Sequence, residues 1–113
     1  MLVVEDEDSA RAFVSQILSK SGYDVIVCSS GREAVRIHQE KSAIAIVLTD
    51  MNMPDFDGAA TARAIRAQNP RVKIVGTSGY PRSHFNAEDL DDFLPKPHGA
   101  KNLLALLRHV LDG

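Results

Sequence analysis

Cysteine occurs once in the 113 residues, as Cys28. That excludes an internal disulfide and suits a reducing cytoplasm. Because Cys28 closes an apolar run, it reads as a small core filler rather than a reactive thiol. Long apolar runs are missing too: none nears the roughly 20 residues of a membrane span, and no signal-peptide pattern is visible. Charge of one sign is not concentrated anywhere. The 13 basic residues stand against 15 acidic ones, a formal net charge of −2, and form no basic block, so nothing favours nucleic acid as a partner. Metal-ligand spacing is lacking among His38, His84, His98 and His109, which read as surface or half-buried side chains. Repeats, linkers and low-complexity stretches are absent.

What remains is an ordinary globular composition, 44% apolar and 25% charged, enough for one domain with a single core. The chain starts almost inside its first apolar run, Leu2-Val3-Val4, which reads as an N-terminus trimmed from a longer protein. That run is a short buried strand ending in Glu5-Asp6-Glu7-Asp8. Ala10, Phe13, Val14, Ile17 and Leu18 then recur at helical spacing, with Asp8 or Ser9 as cap and Gly22 as stop. A second strand is predicted over Asp24–Cys28, and a helix from Arg32 to Glu40 buries Ala34, Val35 and Ile37.

Ile44-Ala45-Ile46-Val47-Leu48 is a third strand that ends in an acid, Asp50. Asp57-Gly58 opens a third helix, whose Ala60, Ala64, Ile65 and Ala67 let it lie close to a sheet, and Asn69-Pro70 ends it. Val72–Thr77 is the fourth strand, leading to Ser78-Gly79. A weak segment follows, Pro81 to Asp92, with only Phe85 and Leu90 as apolar anchors. Phe93-Leu94 is a fifth strand stopped by Pro95-Lys96-Pro97. Leu103, Leu106, Leu107, Val110 and Leu111 mark a last amphipathic helix, with Leu104 beside the stripe and partly exposed. Strand and helix alternate five times. That pattern is α/β: a parallel sheet with right-handed crossovers and helices on both faces.

Ligands of open parallel sheets bind at the carboxyl ends of the strands. The first strand ends at Glu5-Asp6 and the third at Asp50. If those strands are neighbours, three carboxylates converge, and their repulsion calls for a counter-charge. A hard divalent cation supplies it, and oxygen ligands with spare water positions suit Mg²⁺. The fourth strand brings a hydroxyl, Ser78, and the fifth an ammonium, Lys96, to the same rim. These are the parts that a phosphorylated carboxylate needs. Metal and Lys96 offset phosphoryl charge, Ser78 donates a hydrogen bond and Asp50 is the nucleophile. Singly, each has a blander role: helix-start acids as dipole partners, Asp50 as a turn residue, Lys96 as a solvated charge, Ser78 as part of a turn. Their joint occurrence at successive strand ends is what points to chemistry. A calcium loop starting at Asp50 is excluded, because Asp55 stands where glycine is needed and Thr61 where glutamate is needed.

On Glu5-Asp6, on Asp50 within Asp-Met-Asn-Met-Pro-Asp-Phe-Asp-Gly, on Ser78-Gly79 and on Lys96-Pro97, the chain resembles a receiver domain. Such domains belong to two-component response regulators and hybrid sensor histidine kinases, and the likeness spans all 113 residues. The resemblance implies a flavodoxin-like (βα)5 doubly wound sheet of strand order 2-1-3-4-5. It implies that Asp50 accepts a phosphoryl group from the phosphohistidine of a histidine kinase or phosphotransfer domain, with Mg²⁺ or Mn²⁺. Asp6 and Asp50 would bind the metal directly, Glu5 through water and Asn52 through its backbone carbonyl. Ser78 would be the switch hydroxyl, Phe93 the switch aromatic and Lys96 the phosphoryl partner, before a cis Lys96–Pro97 bond. A fused or downstream effector and a phosphorylation-linked dimer belong to the same picture; self-phosphorylation and autodephosphorylation would be the only chemistry.

Two departures stand out. Glu5 is a longer arm where aspartate is commoner in the family. The stretch from Ser78 to Lys96 leaves room for a crossover helix of about three turns at most, and its sequence is a poor helix former, so a shortened or irregular fourth helix is expected. That departure motivates a second reading, a phosphorylation-independent interaction module, against which the intact acids, Ser78 and Lys96 argue. A third, a phosphatase acting on outside substrates, lacks a cap and a water-activating acid. Tyr80 reads as a loop aromatic or as a shield for the phosphoryl group, Met53 as packing under the loop, and the acidic run 88–92 as a solvated face.

Overall fold

Strands form where the apolar runs stand: β1 (Leu2–Val4), β2 (Ile26–Cys28), β3 (Ile46–Asp50), β4 (Lys73–Ser78) and β5 (Asp92–Pro95). The helices between them are α1 (Asp8–Lys20), α2 (Gly31–Glu40) and α3 (Gly58–Gln68), and α4 (Ala100–Asp112) closes the chain. This computed structural model describes residues 1–41, 43–54, 56–85 and 88–112; Asp55, which figures in the sequence reading, lies outside the described residues. All neighbouring strands are parallel, in the order β2-β1-β3-β4-β5. The expected α/β architecture and strand order are therefore found.

Strands so uniformly apolar are buried on both faces. On one side Leu2, Val4, Val47 and Ile74 pack with Ala34 of α2 and with Ala62 and Ile65 of α3. On the other, Val3, Leu48 and Val75 pack with Val14 and Leu18 of α1 and with Leu103 and Leu107 of α4. Ser30 Oγ caps α2 by accepting the Glu33 N–H at 3.2 Å. Asp57 Oδ1 caps α3 by accepting the Ala60 N–H at 2.9 Å. The next residue must be glycine: a Cβ on Gly58 would lie 2.5 Å from Met51 Cα and 2.6 Å from the Asp50 carbonyl oxygen. The end of β3 and the start of α3 thus meet backbone to backbone.

Several expectations need correcting. The cap position of α1 is Glu7, without a side-chain cap bond; Asp8 already lies in the helix and pairs with Arg11, and the Ser9 hydroxyl donates to Glu7 Oε1. β2 is shorter than Asp24–Cys28, and the Asp24 carbonyl instead accepts the chain's amino terminus at 2.9 Å. Phe13 and Leu111 do not join the buried stripes of their helices, being 47% and 40% exposed. His38 is not a surface residue but is 1% exposed. Its Nδ1 lies 3.2 Å from Gln68 Oε1, a polar tie between α2 and α3. Cys28 is buried as expected, and burial, with the Glu33 charge, pushes its thiol up to about 11, which keeps it protonated and inert.

Between β4 and β5 the described residues hold a single 3₁₀ turn, Arg82–His84, in place of a helix. Leu90 is buried and Phe85 half-buried against the core, the two anchors expected. The acidic run is not wholly a solvated face. Asp91 Oδ2 accepts from Arg66 Nη2 at 2.8 Å and from the Ile74 N–H at 2.7 Å. Arg66 also donates to the carbonyls of Val72 (2.6 Å) and Asp89 (2.7 Å). One guanidinium from α3 therefore binds the returning chain to the edge of β4.

Candidate functional site

β1 lies beside β3, with Val4 opposite Thr49, so the next residues of each strand emerge together at the sheet's carboxyl edge. Glu5, Asp6 and Asp50 meet there, each with a carboxylate oxygen within 4.8 Å of the others. Glu5 and Asp50 are buried and Asp6 is exposed. Buried like charges need partners, and each has them. Glu5 Oε1 accepts from Lys96 Nζ at 2.8 Å while its Oε2 accepts the Glu7 N–H at 3.2 Å. Asp50 Oδ1 accepts the Asn52 N–H at 3.0 Å, and its Oδ2 is 3.5 Å from Lys96 Nζ. Burial pulls the Lys96 ammonium downward, but the Glu5 hydrogen bond and the Asp50 charge outweigh it and hold the group above its ordinary 10.5. Lys96 is therefore a fixed cation at neutral pH.

Ser78 closes β4 and lies opposite Pro95 of β5. The Lys96 N–H donates to the Ser78 carbonyl at 2.8 Å, which seats the lysine at the same rim. The buried Ser78 Oγ accepts the Tyr80 N–H at 3.0 Å, leaving its own proton to donate. Tyr80 is 49% exposed. Its ring stacks on His84 at 4.6 Å; His84 meets Phe85 edge-on at 5.0 Å, and Phe85 leans toward Phe93 at 6.4 Å. Phe93 is half-buried opposite Gly76, deeper in β5 than the polar cluster. The Lys96–Pro97 bond is cis, as expected. Met51 and Met53 are buried beneath the β3–α3 loop. Asn52 is exposed beside Asp50, with its N–H already engaged.

Glu5, Asp6, Asp50, Asn52, Ser78 and Lys96 thus gather at one edge, and Phe93 stands back from it. Two side chains near this edge carried no sequence signal. Thr77 Oγ1 and His98 Nδ1 are both buried without a hydrogen-bond partner, a property of packing that no motif records.

Residues 1–108 match the Response regulator receiver domain family. The chain is a receiver domain. Receivers are the phosphoacceptor modules of two-component signalling and partner with histidine kinases; they are not catalytic enzymes in their own right. Among similar proteins, the sensor kinase CckA of Brucella abortus is 35% identical over 117 residues, covering 99% of this receiver and 12% of that protein. The transcriptional regulatory protein ZraR of Escherichia coli O157:H7 is 33% identical over 115 residues, 98% of this chain and 26% of that protein. This receiver therefore corresponds to a minor share of either relative. A response regulator receiver domain protein from Clostridium thermocellum has the same fold, with a TM-score of 0.90 and 28% identity over 98% of this chain and 92% of that one. The Glu5, Asp6 and Asp50 cluster is of the kind in which receivers hold Mg²⁺. Among the described residues, no helix is long and apolar enough to cross a membrane.

Proposed function

We propose that Asp50 is the phosphoacceptor of this receiver, fed by the phosphohistidine of a histidine kinase or phosphotransfer domain in the cytoplasm. The observation that carries this is the convergence of three carboxylates at the sheet edge, two of them, Glu5 and Asp50, on one lysine. An Asp50 oxygen attacks phosphorus, the P–N bond breaks with its electron pair going to the imidazole, and an aspartyl phosphate remains. Asp6 and Asp50 would hold Mg²⁺ or Mn²⁺, with the Asn52 carbonyl as a further ligand. Glu5 would reach it through water, which suits a carboxylate whose two oxygens already serve Lys96 and the Glu7 N–H. When bound, the ion would neutralise charge on the phosphoryl oxygens.

Lys96 then moves its ammonium, 3.5 Å from Asp50, onto the new phosphoryl oxygens. Ser78 turns its free proton to them, and Phe93 follows by turning inward. The relatives' lengths support a role inside a larger signalling protein, either beside a kinase or ahead of an effector.

Intact mass after incubation with acetyl phosphate tests the acceptor. A phosphoryl adduct is expected on wild type with Mg²⁺, and neither on wild type with chelator nor on Asp50→Asn. Equal labelling of folded Asp50→Asn would move the acceptor elsewhere, and no labelling of either protein would favour an interaction module that keeps the fold alone.

A further inference from the structure

Lys96 stands between two buried carboxylates and is not shared evenly between them. Its Nζ donates to Glu5 Oε1 at 2.8 Å, the length of a strong charge-assisted hydrogen bond. To Asp50 Oδ2 the distance is 3.5 Å, at the outer edge of hydrogen bonding. The ammonium therefore belongs to Glu5 and only faces Asp50.

Glu5 is placed to keep it. Its N–H donates to the Cys28 carbonyl at 3.1 Å and its own carbonyl accepts Arg11 Nη1 at 3.0 Å, so the backbone is tied on both sides. Oε2 accepts the Glu7 N–H at 3.2 Å while Oε1 meets Lys96, so both carboxylate oxygens are fixed. Lys96 is tied in turn by its N–H to the Ser78 carbonyl at 2.8 Å. The extra methylene of glutamate is what spans the gap. Aspartate would draw the carboxylate back by about 1.5 Å, and the tied backbone could not follow.

The consequence falls on Asp50. Its Oδ1 accepts the Asn52 N–H at 3.0 Å, which leaves Oδ2 as the oxygen to attack phosphorus. An oxygen that accepts a close ammonium hydrogen bond has a lone pair engaged and its charge offset, and both weaken a nucleophile.

We propose that Glu5 is a positioning residue that holds the Lys96 ammonium off Asp50 Oδ2 until a phosphoryl group arrives. The inference rests on Asp50 as the acceptor. The nucleophile is left open before transfer, and the cation waits beside the place where the phosphoryl oxygens come to lie. The longer arm at position 5, where aspartate is commoner in the family, thereby has a use of its own.

The Nζ resonances of protein carrying isotopically labelled lysine, recorded without metal or phosphodonor, test the placement. Glu5→Gln should shift the Lys96 signal, whereas Asp50→Asn alone should hardly move it. In a Glu5→Gln or Glu5→Asp background the ammonium falls back on Asp50, so there Asp50→Asn should move the signal strongly. An Asp50→Asn shift as large in the wild-type background as in those two would overturn the proposal. Labelling by acetyl phosphate over a range of Mg²⁺ tests the consequence. Glu5→Asp keeps the charge, so it should lower the maximal rate about fivefold, the worth of one hydrogen bond, at an unchanged half-saturating Mg²⁺ concentration. A maximal rate equal to that of wild type, or a loss made good by more Mg²⁺, would overturn it as well. The resonances are read with no donor present, so their outcome is independent of whether Asp50 accepts a phosphoryl group.

Discussion

Lys96 brings one positive charge to two buried carboxylates, and its neighbours decide what its removal does. In Lys96→Met, Glu5 stays buried with only the Glu7 N–H left. Stranding a buried charge is costly. The Lys96 side chain is 28% exposed, though, so solvent shares the burden and the loss is about 2 kcal/mol at neutral pH. The pH dependence has a definite sign. A lysine held above its ordinary 10.5 stabilises the fold fully below that value, and the contribution fades as pH rises through the higher folded value. Urea midpoints should therefore show wild type ahead of Lys96→Met by a constant margin across neutral pH, closing above pH 10.5. Added Mg²⁺ should narrow the margin at pH 7 by taking over the charge neutralisation. A margin indifferent to both would mean that Lys96 contributes packing rather than charge.

At the scale of elements, the β4–β5 connection is held less by its own secondary structure than by Arg66 of α3. Arg66→Ala removes the donor shared by the Val72 and Asp89 carbonyls and the Asp91 carboxylate, a loss of about 2 kcal/mol. Asp91→Asn isolates the charge. Burial pushes the Asp91 carboxyl up, but the Arg66 and Ile74 hydrogen bonds win and leave it below its ordinary 3.8. Its stabilisation is present above that pH and disappears as pH falls through the lower folded value. Thermal midpoints of wild type and Asp91→Asn should differ at pH 7 and converge below pH 3.8; parallel curves would assign the effect to shape alone. None of this was legible beforehand. Arg66 and Asp91 each look like ordinary surface charges, and only the fold-back of the chain brings them together. The strands, by contrast, were legible because buried parallel strands are continuous apolar runs. The acid cluster was legible because its members stand directly at strand ends, so one neighbour relation between β1 and β3 assembles it. His38 escaped notice because its partner, Gln68, comes from another helix, and Phe13 because helical spacing does not show which flank of a stripe the neighbouring elements leave open.

For the molecule as a whole, the question is how an event at Asp50 becomes visible at a surface. The usual intermediary, a helix between β4 and β5, is here a 3₁₀ turn, Arg82–His84, among the described residues. The Ser78 hydroxyl nevertheless holds the start of that connection, by accepting the Tyr80 N–H at 3.0 Å. Its far side is held where the Asp91 N–H meets the Ile74 carbonyl at 2.7 Å. If Ser78 turns toward a phosphoryl group, the Tyr80 N–H loses geometry with its acceptor while the Asp91 anchor is untouched. The connection is then released at one end only, and the stacked Tyr80 and His84 rings, both on exposed residues, carry the change outward. Hydrogen exchange on protein with Mg²⁺ and beryllofluoride, a phosphoryl mimic, should show faster exchange at the Tyr80 amide and none at Asp91. Ser78→Ala should exchange quickly at Tyr80 from the outset and respond little to the mimic. A Tyr80 amide that stays equally protected, in protein shown to bind the mimic, would sever Ser78 from the loop and leave β5, through Phe93, as the path from the site to the surface.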